Sequence, residues 1–139
     1  MRASQATIDL LNEYYTAMES NDPQRYGTYY AEDMTLTFGN SPTIKGRENV
    51  LAAFAEVLDR VRSLHHDLVN VWEVDGGVVV YESVGEWNLH DGRKVSINAG
   101  TVLTVVDGKF VDQRIYVDNA PVAAALGRPR AQGTDSSDV

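Results

Sequence analysis

Near residue 64 the spacing of apolar residues changes for the rest of the predicted domain, and that change limits the folds available to this chain. Before residue 64, outside the short stretch 34–38, apolar residues recur every three or four positions, as on one face of a helix. After it they alternate with polar residues, as on one face of a strand. Asp-Gly pairs interrupt the alternating part, and Asp-Gly favours tight hairpin turns because these turns need positive φ angles. The pattern therefore predicts four consecutive antiparallel strands, over residues 64–74, 78–90, 94–106 and 109–117.

Three helices and one short strand are predicted before residue 64. Ser4 is a suitable N-cap for the first helix, because its side-chain oxygen can accept a hydrogen bond from a free backbone N–H. Asp22 and Pro23 favour the start of a second helix, since proline at the first helical position loses no hydrogen bond. The helices are predicted over residues 4–20, 23–30 and 47–62, and the strand over residues 34–38.

Helices followed by antiparallel strands are typical of an α+β domain in which the helices cover one sheet face. Because the strands are long and their turns tight, we expect strong curvature. The predicted fold is a conical α+β barrel, with three N-terminal helices packed on a curved, mostly antiparallel sheet. This single domain covers residues 1–127, with a short helix over residues 122–126. The polar residues 128–139 are predicted to form a disordered tail.

The composition favours an uncharged small molecule over nucleic acid or a membrane surface. The chain has 12 basic and 20 acidic residues, a formal net charge of −8 and no cluster of Lys or Arg. Such a charge repels phosphate backbones. No apolar run approaches the roughly 20 residues of a membrane span, and the N-terminus has no apolar signal core, so we expect a cytoplasmic protein.

Metal and cofactor motifs are missing from the sequence. Its three histidines are not spaced with acidic residues as metal ligands are, there is no cysteine, and no glycine-rich phosphate loop occurs. We therefore expect no metal and no cofactor. Acid–base chemistry by side chains is then the simplest enzymatic option.

The order of elements and several short motifs are similar to those of a known family. The motifs are Asn21-Asp22, Tyr30-Ala31-Glu32-Asp33, Gly46-Arg47, His66 with Asn70 and Trp72, Asp91-Gly92-Arg93, Asp107-Gly108-Lys109 and Tyr116-Val117-Asp118. With these motifs, about residues 4–125 resemble the SnoaL-like branch of the nuclear transport factor two-like superfamily, which includes polyketide cyclases and ketosteroid isomerase-like proteins. The resemblance implies a cone-shaped domain, but this fold hosts isomerases, cyclases, dehydratases, epoxide hydrolases and proteins without chemistry.

Asp118 is the first candidate for a catalytic residue. In SnoaL-like cyclases an aspartate near the end of the last strand acts as the general base, and the resemblance gives that role to Asp118. Tyr116 shares its strand face and is a predicted substrate contact. The residues alone leave another interpretation open, in which Asp118 caps the turn after the strand. The resemblance to ketosteroid isomerases further implies that Tyr14 donates a hydrogen bond to an oxyanion.

His66 is the second catalytic candidate. Strict alternation places it on the same strand face as Asn70 and Trp72, with His65 facing solvent. An imidazole titrates near neutral pH, so His66 could act as acid and base across the steps of an elimination or a cyclisation. The alternative is a hydrogen-bonded or exposed histidine without a catalytic role.

The predicted substrate contacts are mostly aromatic. An apolar pocket needs such side chains, and Asn98 could orient a substrate carbonyl, but the aromatic residues would pack the core with or without a ligand. The predicted contacts are Tyr30, Phe38, Phe54, Leu58, Trp72, Trp87, Asn98 and Tyr116.

Two functions fit these observations. The first is a cofactor-independent isomerase, cyclase or dehydratase acting on an apolar carbonyl compound of polyketide or steroid type. The second is a non-catalytic module that binds a ligand in the cone or dimerises through its open sheet face. A homodimer is expected under either, because alternating apolar residues can bury one sheet face against a second copy.

Overall fold

The computed structural model describes residues 2–126 and has the predicted α+β architecture. Within these residues the elements are α1 (Gln5–Glu19), α2 (Pro23–Tyr26), β1 (Tyr30–Phe38), β2 (Ile44–Lys45), α3 (Arg47–Asp59), β3 (Ser63–Val74), β4 (Val78–Asn88), β5 (Lys94–Val106), β6 (Lys109–Val117) and α4 (Ala120–Leu126). No helix in this part of the chain has the length and hydropathy to cross a membrane. The predicted tail at residues 128–139 lies outside the described residues.

The first two helices begin where the capping residues predict. The Ser4 hydroxyl accepts a hydrogen bond from the Thr7 N–H at 3.2 Å, and the Asp22 carboxylate accepts one from the Gln24 N–H at 3.2 Å. The second helix is shorter than predicted, with one α-helical turn followed by a 3-10 turn over Gly27–Tyr29. The reason is that β1 starts four residues early, at Tyr30, where it pairs with β6.

A six-stranded sheet in the order β2-β1-β6-β5-β4-β3 forms the other layer. The four strands β3 to β6 make the predicted antiparallel meander. In the last hairpin turn Asp107 and Gly108 have φ angles of 52° and 77°, the positive values that Asp-Gly turns favour. β1 is the exception to antiparallel pairing, because it lies parallel to β6.

Two irregularities decide which side chains of the meander face the helices. In β3, Leu68 pairs with Ser83 and Asn70 with Glu82, so Val69 is an extra residue and is 55% exposed. Val111 is the corresponding extra residue of β6, between Phe110 and Asp112. A bulge of this kind shifts every later side chain of the strand to the opposite face.

The core lies between the inner sheet face and the helices, and aromatic rings fill one end of it. Tyr14, Tyr26, Tyr30 and Phe110 are each no more than 1% exposed. The rings of Tyr14 and Phe110 meet edge to face, with centroids 4.8 Å apart. This cluster closes the cone between α1 and the starts of β1 and β6. The remaining space inside the cone is therefore a cavity bounded by rings on that side.

Candidate active site

An elongated cavity of about 310 Å³ lies inside the cone. Its walls come from α1, α3 and the inner face of the sheet, and most of them are apolar. Ser41 and Glu56 are exposed to solvent and mark the mouth, whereas Gln113 is almost fully buried in the wall. The lining residues include Tyr14, Tyr15, Met18, Leu36, Phe38, Ile44, Phe54, Val57, Leu58, Leu64, His66, Ser83, Gly85, Trp87, Ile97, Ala99, Thr101, Gln113, Ile115, Val117 and Asn119.

His66 and Glu19 form a hydrogen-bonded pair at the wall of this cavity. One carboxylate oxygen of Glu19 accepts from the His66 backbone N–H at 2.6 Å and contacts His66 Nδ1 at 3.0 Å. Both side chains are largely buried, with 15% and 17% exposed. An ionised carboxylate only accepts hydrogen bonds, so Nδ1 carries a proton, and in an imidazole with a single proton the lone pair is then on Nε2. Nε2 has no hydrogen-bonding partner within residues 2–126.

Local structure on three elements positions this imidazole. Glu19 is the last residue of α1, and His66 precedes the bulge of β3 and lines the cavity. The Tyr15 ring packs against the imidazole with centroids 4.3 Å apart. Gly85 pairs with His66 across the strands and has no side chain to cover the ring. A Cβ built at Gly85 would lie 3.9 Å from His66 Cδ2, so the glycine leaves room beside the imidazole.

A chain of hydrogen bonds connects His66 with solvent. The second carboxylate oxygen of Glu19 lies 3.3 Å from His65 Nδ1, and His65 Nε2 lies 3.0 Å from Asp67 Oδ1. The hydrogen bond with Asp67 contributes most to raising the pKa of His65 above its ordinary value of 6.5. The His65 side chain is 55% exposed and that of Asp67 is 72% exposed. Glu19 therefore links one imidazole at the cavity to another at the surface.

Two pairs of buried phenols lie in or behind the cavity wall, and Tyr15 of one pair contacts the imidazole. The hydroxyls of Tyr14 and Tyr30 are 2.6 Å apart, as are those of Tyr15 and Tyr81. Burial raises the pKa of Tyr14 and of Tyr15 well above 10.0, and the phenol partner of each raises it further. The phenols are therefore protonated near neutral pH and can donate hydrogen bonds. Tyr14 and Tyr15 reach the cavity surface.

The structure places Asp118 and Tyr116 outside the cavity. The Asp118 carboxylate is exposed and accepts the Ala120 N–H at 3.0 Å at the start of α4, which is the turn-capping alternative. Tyr116 is 60% exposed. The physical reason is the alternation of β6, where Ile115 and Val117 face the cavity and their neighbours face outward. The predicted position of Asp118 in a pocket is wrong.

Three predicted substrate contacts also lie elsewhere. Trp72 follows the Val69 bulge, which turns it to the outer face, away from His66. Asn98 is exposed, because Ile97 and Ala99 on either side of it in β5 face the cavity and Asn98 faces outward. Tyr30 is buried behind the cavity wall, where it bonds to Tyr14. The other predicted site residues line the cavity, namely Tyr14, Phe38, Phe54, Leu58, His66 and Trp87.

Glu19 and Gln113 are site residues that the sequence argument missed. A carboxylate in the last turn of a helix opposes the helix dipole, and this unfavourable placement of Glu19 was a usable signal. Gln113 shares a strand face with Ile115 and Val117, so it is a polar residue on an otherwise apolar face. Both residues break a local rule, as residues at functional sites often do. No group of three His, Cys, Asp or Glu side chains suited to a metal ion occurs within residues 2–126.

Comparisons with solved structures find the same cone in other proteins. A nuclear transport factor two-like protein of unknown function from Burkholderia pseudomallei superposes with a TM-score of 0.75, at 17% identity over 87% of this chain and 97% of that one. A protein with a ketosteroid isomerase-like fold from Catenulispora acidiphila gives 0.73 at 19% identity, over 83% and 89%. An epoxide hydrolase of M. tuberculosis, similar to limonene epoxide hydrolase, gives 0.71 at 18% identity, over 86% and 87%. At these identities the likeness concerns the fold.

A comparison with models of protein families assigns the chain to a family, whereas the solved structures show only its fold. No curated protein sequence matches the chain. The model of the SnoaL-like domain matches residues 11–113, which include the second half of α1, the first five strands and the pair of Glu19 and His66. The cone fold and this match agree with the resemblance noted in the sequence motifs. The chain therefore belongs to the SnoaL-like domain family.

Proposed function

We propose that this protein is a cofactor-independent enzyme that removes and returns a proton next to a carbonyl group of a small, apolar substrate. The observation that carries the proposal is the hydrogen bond of 3.0 Å between His66 Nδ1 and Glu19 at the wall of an apolar cavity. A histidine oriented by a carboxylate, with its second nitrogen free, is the common arrangement of a general base. In this proposal His66 takes the role that the resemblance gave to Asp118.

The first step transfers one proton to the imidazole. Nε2 of neutral His66 takes a proton from the carbon next to the carbonyl, and the electron pair of that C–H bond forms the double bond of an enolate. The imidazolium that results is stabilised by the Glu19 carboxylate. His66 then returns the proton. Its return to another carbon gives isomerisation, and its transfer to a departing hydroxyl gives dehydration. Attack of the enolate carbon on a second carbonyl, followed by return of the proton to the alkoxide oxygen that forms, gives cyclisation.

The negative charge of the enolate needs hydrogen-bond donors in a dry site. Tyr14 is fully buried and lines the cavity, and its hydroxyl bonds to Tyr30. When Tyr30 donates to Tyr14, the Tyr14 proton is free for an enolate oxygen. Tyr15 and Tyr81 form the same arrangement on the side of His66. Donors of this kind, whose positions are fixed before the reaction, each stabilise the transition state by about 2–4 kcal/mol.

The cavity supports an apolar substrate of modest size. A volume of about 310 Å³ is near the lower end of the roughly 300–1,000 Å³ usual for ligand pockets. Phe38, Phe54, Leu58 and Trp87 form much of the wall, and Glu56 is an acidic group at the mouth. Anionic substrates are disfavoured by this carboxylate and by the net charge of −8.

Exchange of carbon-bound protons tests the proposal without knowledge of the natural substrate. The probe is 2-tetralone, an apolar bicyclic ketone whose protons next to the carbonyl exchange with heavy water. The rate of exchange is followed by loss of their NMR signal. We expect the wild-type protein to accelerate exchange over buffer, and His66→Gln to lose most of this acceleration, since general-base catalysis contributes about 10²- to 10⁴-fold.

Asp118→Asn is the matched control for this experiment. Because the Asp118 carboxylate lies at the surface, its substitution leaves the exchange rate unchanged under this proposal. A wild-type rate equal to that of buffer would contradict the proposed function. Binding of 2-tetralone without exchange would favour the non-catalytic alternative. Loss of exchange in Asp118→Asn with retention in His66→Gln would restore Asp118 as the base.

A further inference from the structure

We propose that the buried end of the cavity binds a hydroxyl group of the substrate through Gln113, so that the substrate is an apolar carbonyl compound carrying a hydroxyl distant from the reacting carbon. The inference rests on the proposed function and adds the chemical class of its substrate. Gln113 is 1% exposed and lines the cavity, and its Oε1 has no hydrogen-bonding partner within residues 2–126. A buried acceptor of this kind lowers stability until a donor reaches it.

The amide of Gln113 has a polar neighbour in the Tyr81 phenol. Gln113 and Thr101 both act against the rise in pKa that burial causes at Tyr81, so their side chains lie near its hydroxyl. The amide N–H₂ is the group that can donate to a phenol oxygen, and the amide oxygen has no partner. The neighbours of Gln113 on the adjoining strands are Leu36 and Leu103, which have no donor to offer it. Because Gln113 lines the cavity, a ligand bound there is the donor that we propose.

The position of Gln113 relative to His66 sets the shape of the ligand. Tyr15 lies between them, because its ring packs on His66 at 4.3 Å and its hydroxyl bonds to Tyr81 at 2.6 Å. Gln113 lies near the same Tyr81 hydroxyl. A substrate that places its reacting carbon at His66 therefore extends along Tyr15 and presents its far end to Gln113. A hydroxyl at that end can donate to Oε1, whereas a methyl or an ether oxygen cannot.

Asn119 offers a comparison within the same wall. Its Oδ1 is also buried without a partner, but it lies beyond the end of β6, six residues from Gln113. At roughly 3.3 Å per residue of strand, the two acceptors are far apart along the cavity. A hydroxyl bound at Gln113 is therefore distinguishable from one bound at Asn119 by substitution of each residue in turn.

Matched probes of equal shape test the hydroxyl site. The probes are 2-naphthol and 2-methylnaphthalene, which differ by hydroxyl against methyl, titrated into the full-length chain and followed by ¹H–¹⁵N NMR. The quantity compared between variants is the ratio of the two dissociation constants. The two probes leave water with different free energies, but this difference is the same for every variant and does not affect the comparison. We expect Gln113→Met to reduce the preference for 2-naphthol at least about tenfold, because a site built around a hydroxyl rejects the analogue that lacks it.

Three further variants make the outcome decisive. Gln113→Glu keeps an acceptor oxygen and should keep the preference for 2-naphthol over 2-methylnaphthalene. This variant tests the assignment even if Gln113→Met misfolds and binds neither probe. Asn119→Ala should leave the ratio unchanged. A ratio that is the same in wild type and Gln113→Met, or one that falls only in Asn119→Ala, would overturn the assignment. His66→Gln should keep the ratio while it loses exchange of 2-tetralone protons, which separates failure of the hydroxyl site from failure of the proposed reaction.

Discussion

One carboxylate oxygen of Glu19 holds His66 by two contacts, with the backbone N–H at 2.6 Å and with Nδ1 at 3.0 Å. The two contacts fix both the position of the strand and the orientation of the ring. They join residues 47 positions apart in the sequence. The end of α1 and the start of the meander thus meet at the proposed base.

Glu19→Gln should disturb the tautomer of His66 and reduce turnover. The amide can present N–H₂ to Nδ1, which then becomes the acceptor and leaves the proton on Nε2. We expect exchange of 2-tetralone protons to fall by roughly 100-fold, within the range of general-base effects. The ¹⁵N shifts of the imidazole report the tautomer directly. Glu13→Gln, on the exposed side of α1, is the control and should change neither quantity. An Nε2-protonated ring in the wild type would contradict the assignment.

The outline of this fold follows from local sequence signals. Alternation and Asp-Gly turns predicted β3 to β6, and capping residues predicted the helix starts, because these features depend on neighbours within a few positions. The four-residue extension of β1 was missed, since it depends on pairing between Tyr30 and Phe110. Features set by neighbours in the sequence are therefore predictable from local pattern, whereas features set by pairing of distant residues are not.

The site was predictable only in part. Alternation puts Tyr116 and Asp118 on one face but does not say which face is inside, and the resemblance wrongly implied that it is theirs. The bulge at Val69 moved Trp72 away from His66, and a single extra residue gives little signal in the sequence. Glu19 lies far from His66 along the chain, so only the packing of α1 on β3 shows that the two meet.

The surface histidine His65 should make stability depend on pH. Its pKa is raised above 6.5, first by the hydrogen bond to Asp67 and also by Glu19, so its protonated form favours the folded state. Glu86 on the neighbouring strand also faces this position. The contribution is therefore fully present below about pH 6.5 and is lost as the pH rises through the pKa of the folded state. Urea unfolding of wild type and His65→Gln should differ more at about pH 5.5 than at about pH 8.5. A difference that grows with pH would contradict this.

The phenol pair of Tyr14 and Tyr30 should behave as one unit in unfolding. Each single substitution by phenylalanine leaves one buried hydroxyl without its partner. We expect it to lower the free energy of unfolding by about 1–3 kcal/mol. The double variant removes both hydroxyls, so its loss of free energy of unfolding should be smaller than the sum of the two single losses. Chemical denaturation of the four proteins measures the coupling. Strictly additive losses would show that the hydrogen bond contributes nothing.

Two copies of the chain should associate through the outer face of the sheet. Tyr116 and Val69 are 60% and 55% exposed on that face, and such side chains are commonly covered in homodimers. We expect sedimentation velocity to give the mass of a dimer and Tyr116→Glu to shift it toward one chain. Val106→Glu is the control, because Val106 is 50% exposed beside the last hairpin turn. A wild-type mass of 15.3 kDa would contradict the expectation.

Gly85→Ala should narrow the cavity beside His66 while leaving the fold intact. The added Cβ would meet Trp87 Nε1 at 3.4 Å and His66 Cδ2 at 3.9 Å, which are ordinary contacts, and the φ angle of Gly85 is not positive. Alanine also restricts the unfolded chain, so the free energy of unfolding should stay equal or rise by about 0.5–1 kcal/mol. Access to Nε2 should nevertheless fall, and with it the affinity for 2-tetralone and the rate of its proton exchange.

Gly100→Ala is the matched control, since Gly100 lies on neighbouring β5 with open space around its Cβ position. Equal loss of exchange in both variants would mean that the effect comes from the strands and not from the cavity, whereas loss in Gly85→Ala alone would place the reacting carbon against this face of the imidazole.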